Sequence, residues 1–297
     1  PSMRLCHEPS GIVSAIGEEV TDFKKGDRVF THHHVPCYSC HFCTHGNETM
    51  CQKYSETNLS PCGLAEEFIV PEWNASHGGV IKLPDHVSFE EASMIEPLAC
   101  CIRAWNKIKF KKGDSVAILG AGPTGMMHVM LSKVYGIQDI FCFDINDFRL
   151  DFAKKIGVTE TIRSDNPDAY QKILAKTQNR GVDIVMLATG SLNAISQAID
   201  FVRKGGTVML FGVPSKDVKM SLDMSKVYSK EITITPSYAA SENDTNEAFK
   251  LIEQGTIDVK KLITHKFELV DSAKALDYAH QGKDSMKIII INSETLN

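Results

Sequence analysis

The sequence predicts an α/β protein of two domains: an open, doubly wound parallel sheet in the middle of the chain, and a β-rich domain carrying a metal-bound loop. Three observations predict it. A glycine-rich turn joins a strand to a helix near residue 120 and opens a run of alternating strands and helices. Residues 9–72 hold short β-like runs broken by Gly, Pro and charge. Within that stretch four cysteines fall into fifteen positions.

Composition limits the rest. The chain has 297 residues, 43% of them hydrophobic and 23% charged, the mix of a soluble globular protein. A net charge of -5 argues against general affinity for nucleic acid or an anionic membrane. The longest apolar run considered, "IIII" at 288–291, is the length of a strand, far short of the roughly eighteen residues of a membrane helix. Nine cysteines is an odd number, and Cys6, Cys62, Cys100, Cys101 and Cys142 are scattered among apolar neighbours. That usage fits a reducing cytoplasm better than a disulfide framework.

The middle of the chain carries the first motif. In "DSVAILGAGPTGMMHVMLSKVYG" (114–136) an apolar strand leads into Gly120, Gly122 and Gly125, with Pro123 and Thr124 between the last two. Met126, Met127, Met130, Leu131 and Val134 come next at helical spacing. Such a turn binds a dinucleotide: the first glycine bends the chain, the second admits the pyrophosphate, and the third packs helix on strand. The helix N-terminus offers free N–H groups to the phosphates. The next strand, "DIFCFD", ends in Asp144, placed where a carboxylate grips the ribose hydroxyls; it repels a 2′-phosphate and so favours NAD over NADP. Arg149 is a candidate for the adenosine edge, or equally a solvated helix residue. Further strands are expected near 159–163, 182–190, 205–213 and 230–237, with helices at 167–178 and 192–203 between them. Six strands so connected predict the order 3-2-1-4-5-6. Gly190 and Gly212 lie just past strand ends, where such sheets bind ligands and where turns also need glycine.

The cysteine loop is the second motif. Cys37, Cys40, Cys43 and Cys51 form two overlapping C-x-x-C pairs and a fourth thiol. Four thiolates close a tetrahedron around zinc and leave no position open for substrate, so the site reads as structural. The alternatives are two disulfides or a redox pair, but Pro36, Gly46 and Asn47 mark a loop rather than the helix start a redox pair prefers. The preceding His32, His33 and His34 alternate in direction along an extended segment. All three therefore cannot meet one ion, and they read as polar residues at a strand end.

Two acidic stretches complete the candidates: "LCHEPSG" with His7 and Glu8, and "MIEPLACC" with Glu96 at the approach to the dinucleotide domain. The order HEPSGIV, then C-x-x-C-x-x-C-x7-C, then EPLAC, then ILGAGP and Asp144, resembles the zinc-dependent medium-chain dehydrogenases over nearly the whole chain. It is most similar to their sorbitol dehydrogenase-like polyol branch, with threonine dehydrogenases nearby. The resemblance implies a GroES-like β-rich catalytic domain over 1–102, a Rossmann domain over 103–238, and a return of 239–297 to the first domain. It implies a structural zinc in the loop at 36–52 and a catalytic zinc held by His7 with Glu8 and Glu96, one carboxylate direct and the other through water or in exchange. It further implies NAD, an alcohol or polyol substrate, and a homo-oligomer, tetramer or dimer.

Two departures accompany it. Cys6 stands where the family has glycine. The family's cysteine ligand and relay hydroxyl belong upstream of His7, where this chain has six residues. Its N-terminal segment is therefore expected to be missing, with apolar surface of the β-domain exposed. The competing expectations are an L-threonine 3-dehydrogenase-like enzyme and an inactive, zinc-stapled NAD-binding module.

Overall fold

A computed structural model describes residues 5–293. It contains two compact units. One comprises the chain up to Cys100 together with the segment from Ala239; the other is Cys101–Tyr238.

The first unit begins with three short antiparallel strands in sequence order: β1 (Ser10–Ile12), β2 (Arg28–Thr31) and β3 (Val80–Lys82). Phe30 on β2 pairs with Ser10 and Ile81 and is fully buried. Arg28 ties this sheet to the segment 84–89. Its guanidinium donates to the carbonyls of Pro84 and Val87, both at 2.7 Å, and lies over the Phe89 ring. The helix Phe89–Ala92 starts there, capped reciprocally by Ser88 and Glu91. It delivers the chain to the helix Ile95–Asn106, whose first turn carries Glu96.

The second unit is a six-stranded sheet: β4 (Ser115–Leu119), β5 (Asp139–Asp144), β6 (Glu160–Arg163), β7 (Val182–Leu187), β8 (Val202–Leu210) and β9 (Thr233–Pro236). The spatial order is β6-β5-β4-β7-β8-β9, every neighbour parallel, which is the expected 3-2-1-4-5-6. β4 and β7 are buried along their whole length, as parallel strands covered on both faces must be. β8 starts three residues before the expected 205, because Val202 already pairs with Val182 across a register shift. Between β4 and β5 runs the helix Pro123–Val134, with Pro123 at its first position, where a missing N–H costs nothing. The helix Asp147–Ile156 is capped by the Asn146 side chain and stops at Gly157 in the left-handed conformation.

The returning segment adds the helix Glu242–Glu253, then β10 (Ile263–Glu268) parallel to β11 (Lys287–Ile291). A parallel pair needs a crossover, supplied by the helix Ser272–Gln281. Both helices and β11 match the sequence pattern, but β10 does not announce itself, because "ITHKFE" has little apolar content. Ile12, Ile16 and Ile69 of the first unit are exposed, as are Ile145, Val213 and Tyr228 of the second.

Candidate functional site

The cysteine loop folds as two single-turn pieces, His41–Thr44 and Glu48–Met50, that fold the chain back on itself. The sulfurs of Cys37 and Cys43 are 4.0 Å apart, those of Cys40 and Cys43 3.6 Å, and those of Cys51 and Cys37 3.6 Å. These separations rule out disulfides, and four sulfurs about 2.3 Å from one centre stand about 3.8 Å apart. Backbone N–H groups point at the sulfurs: Cys40 N–H donates to Cys37 Sγ at 3.3 Å and Cys37 N–H to Cys51 Sγ at 3.4 Å. The Ser39 hydroxyl adds a third such bond, and together with the backbone amides it lowers the Cys37 thiol to about 6. A set of thiols whose sulfurs already receive N–H and O–H donors is chemically suited to hold a thiophilic cation.

A second group forms from residues distant in sequence. One ligand atom each from His7, His33 and Glu96 lies within 4.8 Å of the others. His7 Nε2 is 3.8 Å from Glu96 Oε2, and the His7 and His33 rings are 4.6 Å apart between centroids. Each side chain is placed by local structure. His7 is on a segment whose backbone bonds to the turn 62–64: Gly63 N–H donates to Cys6 O at 2.8 Å, and a Cβ on Gly63 would collide with that oxygen. His33 lies just beyond β2, where the Asn74 side chain donates to the carbonyls of both His32 and His33. Glu96 receives the Cys100 thiol one turn along its helix, at 3.3 Å.

Electrostatics favour a cation here. Glu96 is buried, and burial together with the nearby Glu8 carboxylate raises its pKa, so the ionised form lacks sufficient partners. Burial, reinforced by the neighbouring imidazoles, depresses His33 far below the usual histidine range and leaves it a neutral imidazole. Its Nδ1 is buried without a hydrogen-bond partner. An orphaned ring nitrogen beside an undercompensated carboxylate is the donor set of a divalent metal, and zinc fits it.

Glu8, expected in this group beside His7, is not among the converging ligand atoms; its carboxylate turns instead to the Lys287 ammonium. Conversely, the structure differs from the strand-end reading of the histidine run. The expected alternation does not hold: the chain bends at His33, and its ring lies 4.2 Å from that of His34 and 5.2 Å from that of His32 between centroids. The partners nonetheless differ, with His32 reaching Glu242, His34 the Thr57 carbonyl, and only His33 of the three joining His7 and Glu96. A bend at His33 is not announced by residue spacing, so the sequence does not say which of the three meets His7.

In the second unit the glycine turn is explained position by position. Gly120 has a positive φ of 102°, and a Cβ on Gly125 would lie 1.9 Å from Gly120 O. Gly122 differs: a Cβ there would meet only the Arg149 guanidinium, at 3.8 Å. At Gly122, where the helix Pro123–Val134 opens with Pro123 and Thr124, there is room for an anionic group to approach the backbone and the helix N-terminus. Asp144 accepts N–H bonds from Ala121, Ile145 and Asn146 at 2.7, 2.8 and 2.9 Å. Of the roughly four acceptor positions of a carboxylate, one remains for a ribose hydroxyl. Arg149 stands 3.8 Å from Asp144. Gly190 and Gly212 are required by packing: added Cβ atoms would lie 2.2 Å from Val213 O and 2.4 Å from Thr189 C.

Comparison with known proteins agrees with this chemistry. Residues 1–85 match the alcohol dehydrogenase GroES-like domain and residues 123–254 the zinc-binding dehydrogenase domain. The chain is 31% identical over 288 residues to a sorbitol dehydrogenase of Bacillus subtilis, covering 96% of this chain and 80% of that protein. It is 32% identical over 293 residues to the "probable D-xylulose reductase A" of Aspergillus fumigatus, covering 97% and 80%. Among solved structures it resembles zinc dependent alcohol dehydrogenase 2 from Streptococcus pneumonia, at 30% identity and a TM-score of 0.84, over 96% of this chain and 81% of that one. The chain belongs to the zinc-dependent medium-chain alcohol dehydrogenases, on their sorbitol dehydrogenase-like polyol branch.

Proposed function

We propose that the chain oxidises a secondary hydroxyl of a polyol, with His7, His33 and Glu96 holding the catalytic zinc, Cys37, Cys40, Cys43 and Cys51 holding a structural zinc, and the turn 120–125 with Asp144 and Arg149 holding NAD. The observation that carries this reading is the convergence of two imidazoles and a carboxylate in a chain that also offers a nucleotide cradle above Gly122.

Zinc, when bound, polarises the substrate hydroxyl and makes its proton easier to lose, and NAD accepts the hydride. The rest falls to the chain. Glu96 contributes a negative charge that offsets the cation, held in place by Cys100. His33, buried and pinned through its backbone by Asn74, fixes one side of the site, whereas His7 is about half exposed and marks the side open to substrate. Glu8 and Lys287 form a paired charge beside His7; they do not ligate, and they orient a polyhydroxylated substrate by hydrogen bonds. The alcohol proton leaves to solvent and the carbon-bound hydrogen leaves with its electron pair, giving a ketone and NADH. Asp144, with one acceptor position left, takes a ribose hydroxyl and disfavours a 2′-phosphate.

The nine cysteines, none of them in a disulfide, support a reducing, cytoplasmic setting. No helix among the described residues is long and apolar enough to cross a membrane. The resemblance to the family supports a homo-oligomer.

The test is metal counting with turnover. Two zincs per chain, with NADH formed from sorbitol or xylitol and NAD, is the expected result. Turnover of L-threonine in place of polyols would move the enzyme to the threonine branch. One zinc and no turnover on any alcohol would leave a zinc-stapled nucleotide-binding module.

A further inference from the structure

Between the two metal groups of the first unit runs a polar chain, exposed at Tyr38 and buried at Glu242 and His32, that neither group uses. Tyr38 sits inside the thiolate loop, between Cys37 and Cys40, and its hydroxyl donates to Glu242 Oε2 at 2.7 Å. The Glu242 backbone N–H donates back to that hydroxyl at 3.1 Å. The other carboxylate oxygen, Oε1, accepts from His32 Nδ1 at 2.7 Å. His32 is the residue before His33, and both their carbonyls are held by the one Asn74 amide. His32 is fully buried and Glu242 is 4% exposed.

This arrangement carries costs that helix or strand formation does not explain. Tyr38 adopts a φ of +52°, a conformation that bulky residues avoid. Glu242 occupies the first turn of its helix, but the reciprocal cap there is already made by Ser241 and Asp244. A buried carboxylate that spends both oxygens on a tyrosine of one metal loop and a histidine abutting the other metal group joins the two.

We propose that Tyr38, Glu242 and His32 are positioning residues that set the place of His33 from the folded thiolate loop, so that occupancy of the structural site tunes metal affinity at the catalytic one. The proposal rests on the assignment of His33 as a metal ligand. Metal in the thiolate loop fixes Cys37 and Cys40, and so the left-handed Tyr38 between them. Tyr38 orients Glu242, and Glu242 locks the His32 ring and with it the backbone that carries His33.

The experiment uses the full chain and cobalt or zinc titrations read by bound-metal stoichiometry and by the cobalt absorption spectrum, which separates thiolate from imidazole–carboxylate ligation. Tyr38→Phe and Glu242→Gln should keep the thiolate metal and weaken the second metal about tenfold, the low end for outer partners of a metal site. They should also shift the imidazole–carboxylate cobalt bands. Ala248→Gly is the control: it weakens the same helix at a buried position away from Tyr38 and His32 and should lower the melting temperature while leaving second-site affinity and spectrum unchanged. Unchanged second-site affinity in both Tyr38→Phe and Glu242→Gln overturns the proposal while the metal assignment survives. So does an equal loss in Ala248→Gly, which would reduce the chain of bonds to ordinary stability. A wild-type protein that binds only the thiolate metal overturns the assignment and the proposal together.

Discussion

The thiolate loop and the imidazole–carboxylate group are two answers to one problem, how to gather cation ligands in a folded chain. The loop draws its four ligands from fifteen consecutive residues, Cys37 to Cys51. The other group draws three from positions 7, 33 and 96. The loop's sulfurs come together with little help from the rest of the fold, whereas the second group exists only after β2, the 62–64 turn and the helix Ile95–Asn106 are in place. Metal binding should therefore act on the loop as folding energy and on the second group as occupancy of a preformed pocket.

The largest effect should come from breaking the loop. Cys43 is one of its two buried ligands, with a thiol that burial pushes up to about 12 in the absence of metal. Cys43→Ser should cost more than about 4 kcal/mol, the size reserved for loss of a structural element such as a metal site. Chemical denaturation of the zinc-loaded protein measures it, and a chelator should bring wild type down to the variant. A loss below about 1 kcal/mol would mean that the loop folds without metal.

The second site should answer differently. His33→Ala should lower second-metal affinity by more than about a hundredfold, beyond the range of outer partners, and abolish turnover while leaving the thiolate metal in place. Its effect on stability of the metal-free chain should be small, because losing the unpartnered buried Nδ1 offsets losing the packing of the ring against His7 and His34. Competition with a chromophoric chelator reads the affinity. Equal metal affinity in His33→Ala and wild type would return the histidine run to strand-end polar residues.

The same contrast explains what is legible in the sequence. Local periodicity announces the thiol spacing, the glycine turn and the parallel order of β4 to β9. His7 and Glu96 come from resemblance, since nothing in spacing joins positions 7 and 96. His33 escapes a reading of the sequence because the extended, alternating segment expected there is in fact a bend, and a bend that turns one imidazole toward a residue 26 positions earlier has no local signature. β10 escapes it because its pairing with β11 is parallel and distant, so its short polar run has no local signature. Glu8 shows the opposite limit: adjacency to His7 suggests a shared ion, but neighbouring side chains diverge, and its carboxylate finds Lys287.

A partly buried ion pair outside both metal groups gives the scale for ordinary electrostatics. Asp183 in β7 accepts from Ser115 N–H and hydroxyl at 2.8 and 2.7 Å and from Arg203 Nε at 2.6 Å. Burial alone would raise its pKa, but the bonds from Arg203 and Ser115 outweigh burial and lower it. A carboxylate with a depressed folded pKa stabilises the protein above its unfolded value of about 3.9, and that contribution fades as pH falls through the folded value. Asp183→Asn should therefore cost about 1 kcal/mol at neutral pH and progressively less in acid below about pH 4, with both metals retained at neutral pH. A cost that grows in acid would contradict the sign.

The smallest effect tests the backbone beside each metal group. Both groups have a non-glycine residue in the left-handed region next to a ligand: Tyr38 at φ +52° beside Cys37, and Cys6 at φ +59° beside His7. The two differ in what holds them. Tyr38 is secured through its hydroxyl to Glu242. Cys6 is exposed, and its fixed contacts run through its carbonyl, which accepts from Gly63 N–H and the Cys62 thiol. Glycine at position 6 would keep those carbonyl bonds and remove a left-handed cost of about 1 kcal/mol, offset in part by the greater freedom of glycine in the unfolded chain. Cys6→Gly should raise stability by about 0.5 kcal/mol without changing the metal count, whereas Tyr38→Gly, relieved of the same backbone cost, should lose stability because the Glu242 bond goes with it. Thermal melts of the two variants at equal zinc decide it: if Cys6→Gly falls as far as Tyr38→Gly, the thiol at position 6 holds the His7 segment in a way its exposed side chain does not show.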